Sequence, residues 1–120
     1  MQNILIVGAG QLGSRYLQGL STVKLDLRIT IVDPSDLSLD NAKKRWLEVG
    51  GDKSQHKIRW YKVLPQDLVS INLAIIATSA GGRADLVKHI SNTSHVTYWV
   101  LEKVLAQSKQ ELDIINAATI

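Results

Sequence analysis

Short apolar runs alternate along this chain with longer segments in which apolar residues recur every three or four positions. The runs predict five strands, at residues 2–7, 27–32, 58–63, 72–78 and 96–101. The longer segments predict helices at residues 11–23, from a Ser35 N-cap to Gly50, at 81–91 and from 108 to the end, with a short helical turn at Pro65–Leu68. Because strands and helices alternate, the pattern predicts an α/β domain.

The fourth predicted strand is almost entirely apolar, which is typical of a central parallel strand buried on both faces. We therefore expect a Rossmann-type, doubly wound parallel sheet with helices on both faces. Right-handed crossovers favour the strand order 3-2-1-4-5. This order places a ligand crevice at the carboxyl ends of strands one and four.

A glycine-rich segment, Gly8-Ala9-Gly10-Gln11-Leu12-Gly13, joins the first predicted strand to the first helix. A G-x-G-x-x-G motif in this setting is typical of dinucleotide binding. Gly8 would allow a tight turn, Gly10 would let a pyrophosphate approach the backbone, and Gly13 would let the helix pack close to the strand. The N–H groups at the start of the helix would face the phosphates.

The second predicted strand ends at Asp33, twenty residues past Gly13, and Pro34 follows. An acidic residue at this distance is expected to accept hydrogen bonds from the adenosine ribose hydroxyls. Its charge would repel a 2′-phosphate, and no lysine or arginine follows immediately. We therefore predict NAD as the cofactor rather than NADP, with Asp33 and Pro34 in the cofactor site.

Two more segments follow strands at the same edge of the predicted sheet. Thr78 and Ser79 begin a loop of small residues, which is either an ordinary glycine-rich loop or a surface for a cofactor ribose. Arg83 would reach a phosphate or a substrate carboxylate, or lie on the surface. Glu102 and Lys103 end the fifth strand, where a charged pair either meets solvent or supplies a general acid or base.

Composition limits the cellular location and the partners that we expect for this domain, which we assign to residues 1–120. The chain is 45% hydrophobic and 21% charged, as in ordinary globular proteins. It has no cysteine, no signal-like N-terminus and no apolar run near the roughly 20 residues that span a bilayer. We therefore expect a cytoplasmic protein without a membrane partner.

The formal net charge is +3, and a basic set contributes to it: Lys43, Lys44, Arg45, Lys53, Lys57, Arg59 and Lys62. This set is either a nucleic-acid patch or a solvated helix face and loop. We favour the second interpretation because no aromatic ladder accompanies the charge. The histidines lack ligand spacing, so we expect no metal site. Tyr98 and Trp99 are interpreted as core and helix contacts.

The chain resembles the glucose–fructose oxidoreductase / inositol dehydrogenase (Gfo/Idh/MocA) family in four segments. These are the glycine motif with Ser14-Arg15, Val32-Asp33, residues 74–78 of the fourth strand and Leu101-Glu102-Lys103. The resemblance covers essentially the whole chain, and the Glu-Lys pair is its more specific part. It implies the NAD(P) domain of an oxidoreductase that acts on a sugar, cyclitol or nucleotide-sugar hydroxyl. It also implies that Lys103 is catalytic and that Glu102 lies in the cofactor site.

The chain departs from that family at four positions. Val104 and Ser79 stand where prolines are usual, Tyr16 where many members have histidine, and Arg83 lies in a loop that usually holds a histidine. These departures are similar to branches found with surface-polysaccharide synthesis. The family's substrate domain is lacking, so we expect residues 1–120 to belong to a longer protein and to be inactive alone.

Other functions fit the same motifs. An NAD-sensing regulatory domain that controls a partner protein also has a glycine motif and an acid after strand two, but it needs no lysine at 103. A defunct domain kept for protein contacts is a third possibility. As part of a longer protein, the chain is expected to have an unsatisfied edge on strand five and exposed apolar surface, which favour self-association, so we expect a homo-oligomer.

Overall fold

The structure is a computed structural model, and it describes residues 1–78 and 83–101. The five strands are β1 Gln2–Val7, β2 Leu27–Val32, β3 Lys57–Tyr61, β4 Ser70–Ile76 and β5 His95–Leu101. The helices are α1 Gln11–Leu20, α2 Asp36–Glu48 and α3 Arg83–Thr93, with a 3-10 turn at Gly51–Lys53. The helix predicted from residue 108 lies outside the described residues.

The strands form one sheet in the order β3-β2-β1-β4-β5, and every neighbouring pair is parallel. This confirms the predicted Rossmann-like α/β fold and its strand order. The order reverses between β1 and β4, which are direct neighbours although α1, β2, α2 and β3 separate them in sequence. Such a switch point leaves a crevice at the carboxyl ends of the two strands.

Alternate residues of the strands feed two cores, one on each face of the sheet. Ile4 and Ile6 of β1 pack under α1 and α2, in a cluster that includes Leu17 and Trp46. Leu5 and Val7 point the other way, into a cluster with residues of α3. The helices therefore cover both faces, as a doubly wound sheet requires.

Helix boundaries follow from local hydrogen bonding. The Ser35 N-cap is confirmed, because its hydroxyl accepts from the Ser38 backbone N–H at 3.2 Å. Helix α1 ends at Leu20, three residues before the predicted end at 23. The hydroxyls of Ser21 and Thr22 donate to carbonyls of the last turn, at 2.7 and 3.3 Å, and thereby compete with helix continuation.

The connection from β3 to β4, residues 62–69, differs most from prediction. Strand β3 stops at Tyr61 rather than 63, β4 runs from 70 to 76 rather than 72 to 78, and Pro65–Leu68 is not helical. The chain must pass two strands, roughly 14 Å sideways at the usual strand spacing, while returning to the amino edge of the sheet. A helical turn rises only about 1.5 Å per residue and would shorten this reach.

Two side chains lie elsewhere than predicted. Tyr98 is 70% exposed rather than a core contact, because the described helices on its side of the sheet, α1 and α2, pack over the strands around β1 rather than over the edge strand β5. His56 lies in the polar stretch between the second predicted helix and the third predicted strand, yet it is 8% exposed and accepts from the Leu27 N–H at 3.2 Å. Within the described ranges, no helix is long and apolar enough to cross a membrane.

Candidate functional site

Backbone hydrogen bonds continue past the strands at the carboxyl edge of the sheet. The Gly8 N–H donates to the Val32 carbonyl at 2.8 Å, and the Ala77 N–H donates to the Val7 carbonyl at 2.8 Å. The Asp33 N–H donates to the Tyr61 carbonyl at 3.0 Å. Gly8, Asp33 and Ala77 are therefore held in one row beside the switch point.

Two glycines of the motif are required by the fold itself. Gly8 has a φ of +98°, and a Cβ there would lie 2.8 Å from the Ala77 carbonyl oxygen. A Cβ on Gly13 would overlap the Gly8 carbonyl oxygen. The tight turn at Gly8 and the close helix–strand packing at Gly13 are thus both present, as the motif predicts.

Gly10 differs from the other two glycines. It is exposed, with φ −69° and ψ −162°, a conformation open to most residues. No atom of the described residues lies within 4 Å of the position that a Cβ would occupy. The described residues therefore give no reason for glycine at position 10.

The amino end of α1 opens toward the same edge. Gly10 is its N-cap and provides no side-chain hydrogen bond, and the first turn holds no acidic residue. The Ser14 N–H donates to the Gly10 carbonyl at 2.9 Å, so the three preceding N–H groups, of residues 11–13, lack an acceptor within the helix. These groups and the helix dipole create a positive potential beside Gly10.

Asp33 holds two loops together at this edge. Its side chain belongs to a residue that is 9% exposed; Oδ2 accepts from the Ala9 N–H at 2.7 Å and Oδ1 accepts from the Ser35 N–H at 2.8 Å. A carboxylate has about four acceptor positions, so roughly two remain. Asp33 thus fixes the glycine loop relative to the start of α2, a role that its position in the sequence did not reveal. Pro34 follows it and is exposed.

A second contact behind the glycine loop was also missed from the sequence. Ser14 is buried, its hydroxyl donates to the Gly10 carbonyl at 2.8 Å, and it accepts from the Arg45 guanidinium. The Gln18 amide donates to the Arg45 carbonyl at 3.2 Å. Helix α2 therefore supports the loop through α1, and Arg45 is not simply part of a solvated basic face.

The remaining predicted site residues are placed only in part. Thr78 is partly buried and follows Ala77 at the edge. Ser79, Glu102 and Lys103 lie outside the described residues, and nothing is described of the side chains of Gln11 and Leu12. The structure therefore brings together Gly8, Ala9, Gly10, Gly13 and Asp33, while the catalytic assignment of Lys103 stays a prediction.

Other charged groups near this half of the sheet have local partners. Lys62 pairs with Asp36 at 3.1 Å, and the Lys43 ammonium lies 5.6 Å from the centroid of the Trp60 ring. Among residues 1–78 and 83–101, no three acidic or histidine side chains come close enough to hold a metal ion. The groups described beside Gly10 thus include backbone donors and the Asp33 carboxylate.

No protein-family model matches this sequence, and no curated protein is similar enough to count as a relative. The resemblance to the Gfo/Idh/MocA family therefore remains a prediction based on the motifs themselves.

Proposed function

We propose that this chain binds an adenine dinucleotide, NAD in preference to NADP, at the carboxyl edge of the sheet. The observation that carries the proposal is the open space at Gly10 directly beside the N–H groups that begin α1. Gly8 and Gly13 are explained by backbone contacts within the chain, whereas at Gly10 none of the residues that the structure describes comes within 4 Å of the missing Cβ. A pyrophosphate lying against the backbone supplies the missing reason for glycine at this position.

The surrounding groups fit the parts of the cofactor. The N–H groups at the start of α1 suit the pyrophosphate, because the helix dipole favours negative charge there. The acceptor positions left on Asp33 suit the two ribose hydroxyls, which are donors. NAD, when bound, supplies a nicotinamide ring that exchanges a hydride; the described residues bind and orient its adenosine half.

Cofactor preference follows from the surroundings of Asp33. A 2′-phosphate would be forced against the carboxylate of Asp33, a residue that is 9% exposed, where water screens charge repulsion poorly. Pro34, which follows Asp33, offers neither a positive charge nor a backbone N–H to compensate. A ribose hydroxyl meets no such repulsion, so we expect tighter binding of NADH than of NADPH.

The finer function that we propose is an oxidoreductase acting on a sugar, cyclitol or nucleotide-sugar hydroxyl. This part rests on the resemblance at Glu102 and Lys103, where a lysine would exchange a proton with the substrate hydroxyl. A regulatory NAD sensor would bind the cofactor equally well without using Lys103. Loss of hydride transfer with retained NADH binding, on introduction of Lys103→Ala into the longer protein to which we expect this chain to belong, would favour the enzyme.

Calorimetric titration of NADH into matched valine variants tests the binding proposal. Gly10→Val fills the proposed pyrophosphate position, whereas Gly19→Val adds the same side chain at an exposed site in α1 that also has nothing within 4 Å. We expect the wild-type chain and Gly19→Val to bind NADH with similar affinity. Gly10→Val should bind at least about tenfold more weakly, which is about 1.4 kcal/mol.

Circular dichroism of the same samples shows whether each variant is folded. Equal NADH affinity in folded Gly10→Val and wild-type protein would contradict the proposed position of the pyrophosphate. Absence of NADH and NADPH binding to the wild-type chain would contradict the proposal as a whole.

A further inference from the structure

A group of basic side chains lies at the amino edge of the sheet, opposite the proposed dinucleotide site. The strand register places Asn3 of β1, Arg28 of β2 and Lys57 of β3 side by side across the sheet. Arg59 follows two residues after Lys57, so its side chain leaves the same face of β3. Three cationic side chains therefore occupy adjoining positions on one face.

These residues line a concave pocket. Its volume is about 440 Å³, and its other wall is formed by residues 67–70, where the connection from β3 reaches β4. This volume is within the range of small-molecule sites, roughly 300–1,000 Å³. The pocket is therefore large enough for an anion together with a small organic group.

The pocket carries an excess of positive charge that the described residues do not balance. Arg28, Lys57 and Arg59 contribute three positive charges and Asp67 one negative charge, which leaves two. Asp67 pairs with Arg59 at 3.2 Å, and no ion pair to Arg28 or Lys57 exists within residues 1–78 and 83–101. Like charges on directly paired strand positions, as at Arg28 and Lys57, are destabilising.

Arg59 adds an unused donor. Its Nε is buried and has no hydrogen-bond partner in the described part of the chain. Water does not reach this atom, and a ligand oxygen would reach it only if the Arg59 side chain shifted on binding. The charge excess is therefore the observation that calls for an oxyanion.

We propose that this pocket binds the phosphoryl group of a small molecule. A phosphoryl group carries close to two negative charges at neutral pH, which matches the excess. Arg28 and Arg59 would offer planar donor pairs to its oxygens, and Lys57 a compact charge. The site lies at the opposite ends of the strands from Gly10, so it is independent of dinucleotide binding.

Titration of inorganic phosphate, followed by backbone amide NMR, tests this site directly. The amides of Arg28, Lys57 and Ser70 report on the pocket, and those of Gly8 and Gly10 report separately on phosphate at the glycine loop. We expect saturable shifts at the pocket amides. The same titration with acetate should show much weaker binding, because a monoanion balances only half of the excess charge.

Matched glutamine variants test the role of the cations. Lys57→Gln removes a charge from the pocket, whereas Lys44→Gln removes one from an exposed position on α2. We expect phosphate affinity at the pocket amides to fall about tenfold in Lys57→Gln, as for loss of one charge-assisted contact, and to be unchanged in Lys44→Gln. Phosphate should also raise the Tm of the wild-type chain more than that of Lys57→Gln.

Several outcomes would overturn the proposal. Shifts confined to the glycine loop would place phosphate at the dinucleotide site alone and leave the proposed function intact. Equal weakening in Lys44→Gln would indicate attraction to net charge, and equal affinity for acetate would exclude a site for a dianion. Binding of single-stranded nucleic acid with no response to inorganic phosphate would show an extended polyanion surface instead.

Discussion

Replacement of Asp33 by asparagine separates its two roles. The asparagine side chain has nearly the same shape, but it has one acceptor oxygen where aspartate has two. In the structure, one carboxylate oxygen accepts from the Ala9 N–H at 2.7 Å and the other from the Ser35 N–H at 2.8 Å. The introduced asparagine can keep one of these bonds, and its amide group then faces the other N–H as a donor.

The expected cost follows from the two hydrogen bonds. Loss of one bond to a charged acceptor costs about 1.5–3 kcal/mol, and conversion of the other into a neutral bond costs about 1 kcal/mol more. Ala9 is buried, so water cannot replace the lost acceptor at its N–H. Removal of a largely buried charge offsets part of this loss. We therefore expect Asp33→Asn to lower the free energy of unfolding by about 2 kcal/mol.

Urea denaturation of the ligand-free chain measures this effect, and Asp36→Asn is the matched control. Asp36 makes an exposed ion pair with Lys62, and such pairs contribute about 0–1 kcal/mol. If Asp33→Asn and Asp36→Asn lower the free energy of unfolding equally, Asp33 does not hold the glycine loop. The result also affects how NADH binding to an Asp33 variant is interpreted. Part of any loss of NADH affinity would then come from the loosened glycine loop rather than from lost contacts to the ribose.

Two further pairs of variants test the packing around the site by the same measurement. Gly13→Ala should lower the free energy of unfolding by about 3 kcal/mol, because its Cβ would overlap a backbone oxygen, whereas Gly19→Ala in the same helix should raise it by about 0.5–1 kcal/mol. His56→Ala should cost about 2 kcal/mol, because a backbone N–H of β2 loses its acceptor, whereas exposed His89→Ala should change stability by less than about 0.5 kcal/mol. Equal effects within either pair would contradict the corresponding contact.

The local pattern of apolar residues was sufficient to predict much of the fold. The bounds of β1 and β2 agree with prediction at both ends, because each apolar run stops at a residue with a distinct role, Gly8 or Asp33. Strand order then followed from the handedness of crossovers, which is a general property of parallel sheets. The reasons for Gly8 and Gly13 could also be predicted, since they depend on a turn and a helix that the sequence itself indicates.

The contacts that support the site could not be predicted in the same way. Ser14 and Arg45 are 31 residues apart, and their hydrogen bond depends on how α1 crosses α2. His56 is surrounded by polar residues in sequence, and its burial comes with a hydrogen bond to β2 that joins residues 29 positions apart. Tyr98 follows the apolar pattern of a core position, but burial also requires a helix to cover that face. Each case depends on tertiary packing, which composition and periodicity do not encode.

The most direct test of the central claim is the position at which NADH contacts the chain. Backbone amide NMR during an NADH titration reports every residue of the edge at once. We predict saturable shifts at Gly8, Gly10, Gly13, Asp33 and Ala77, with none at the start of β1, β2 or β3. Shifts confined to the amino edge, or none anywhere at millimolar NADH (a Kd of about 1 mM corresponds to about −4.1 kcal/mol), would contradict a dinucleotide site at the carboxyl edge.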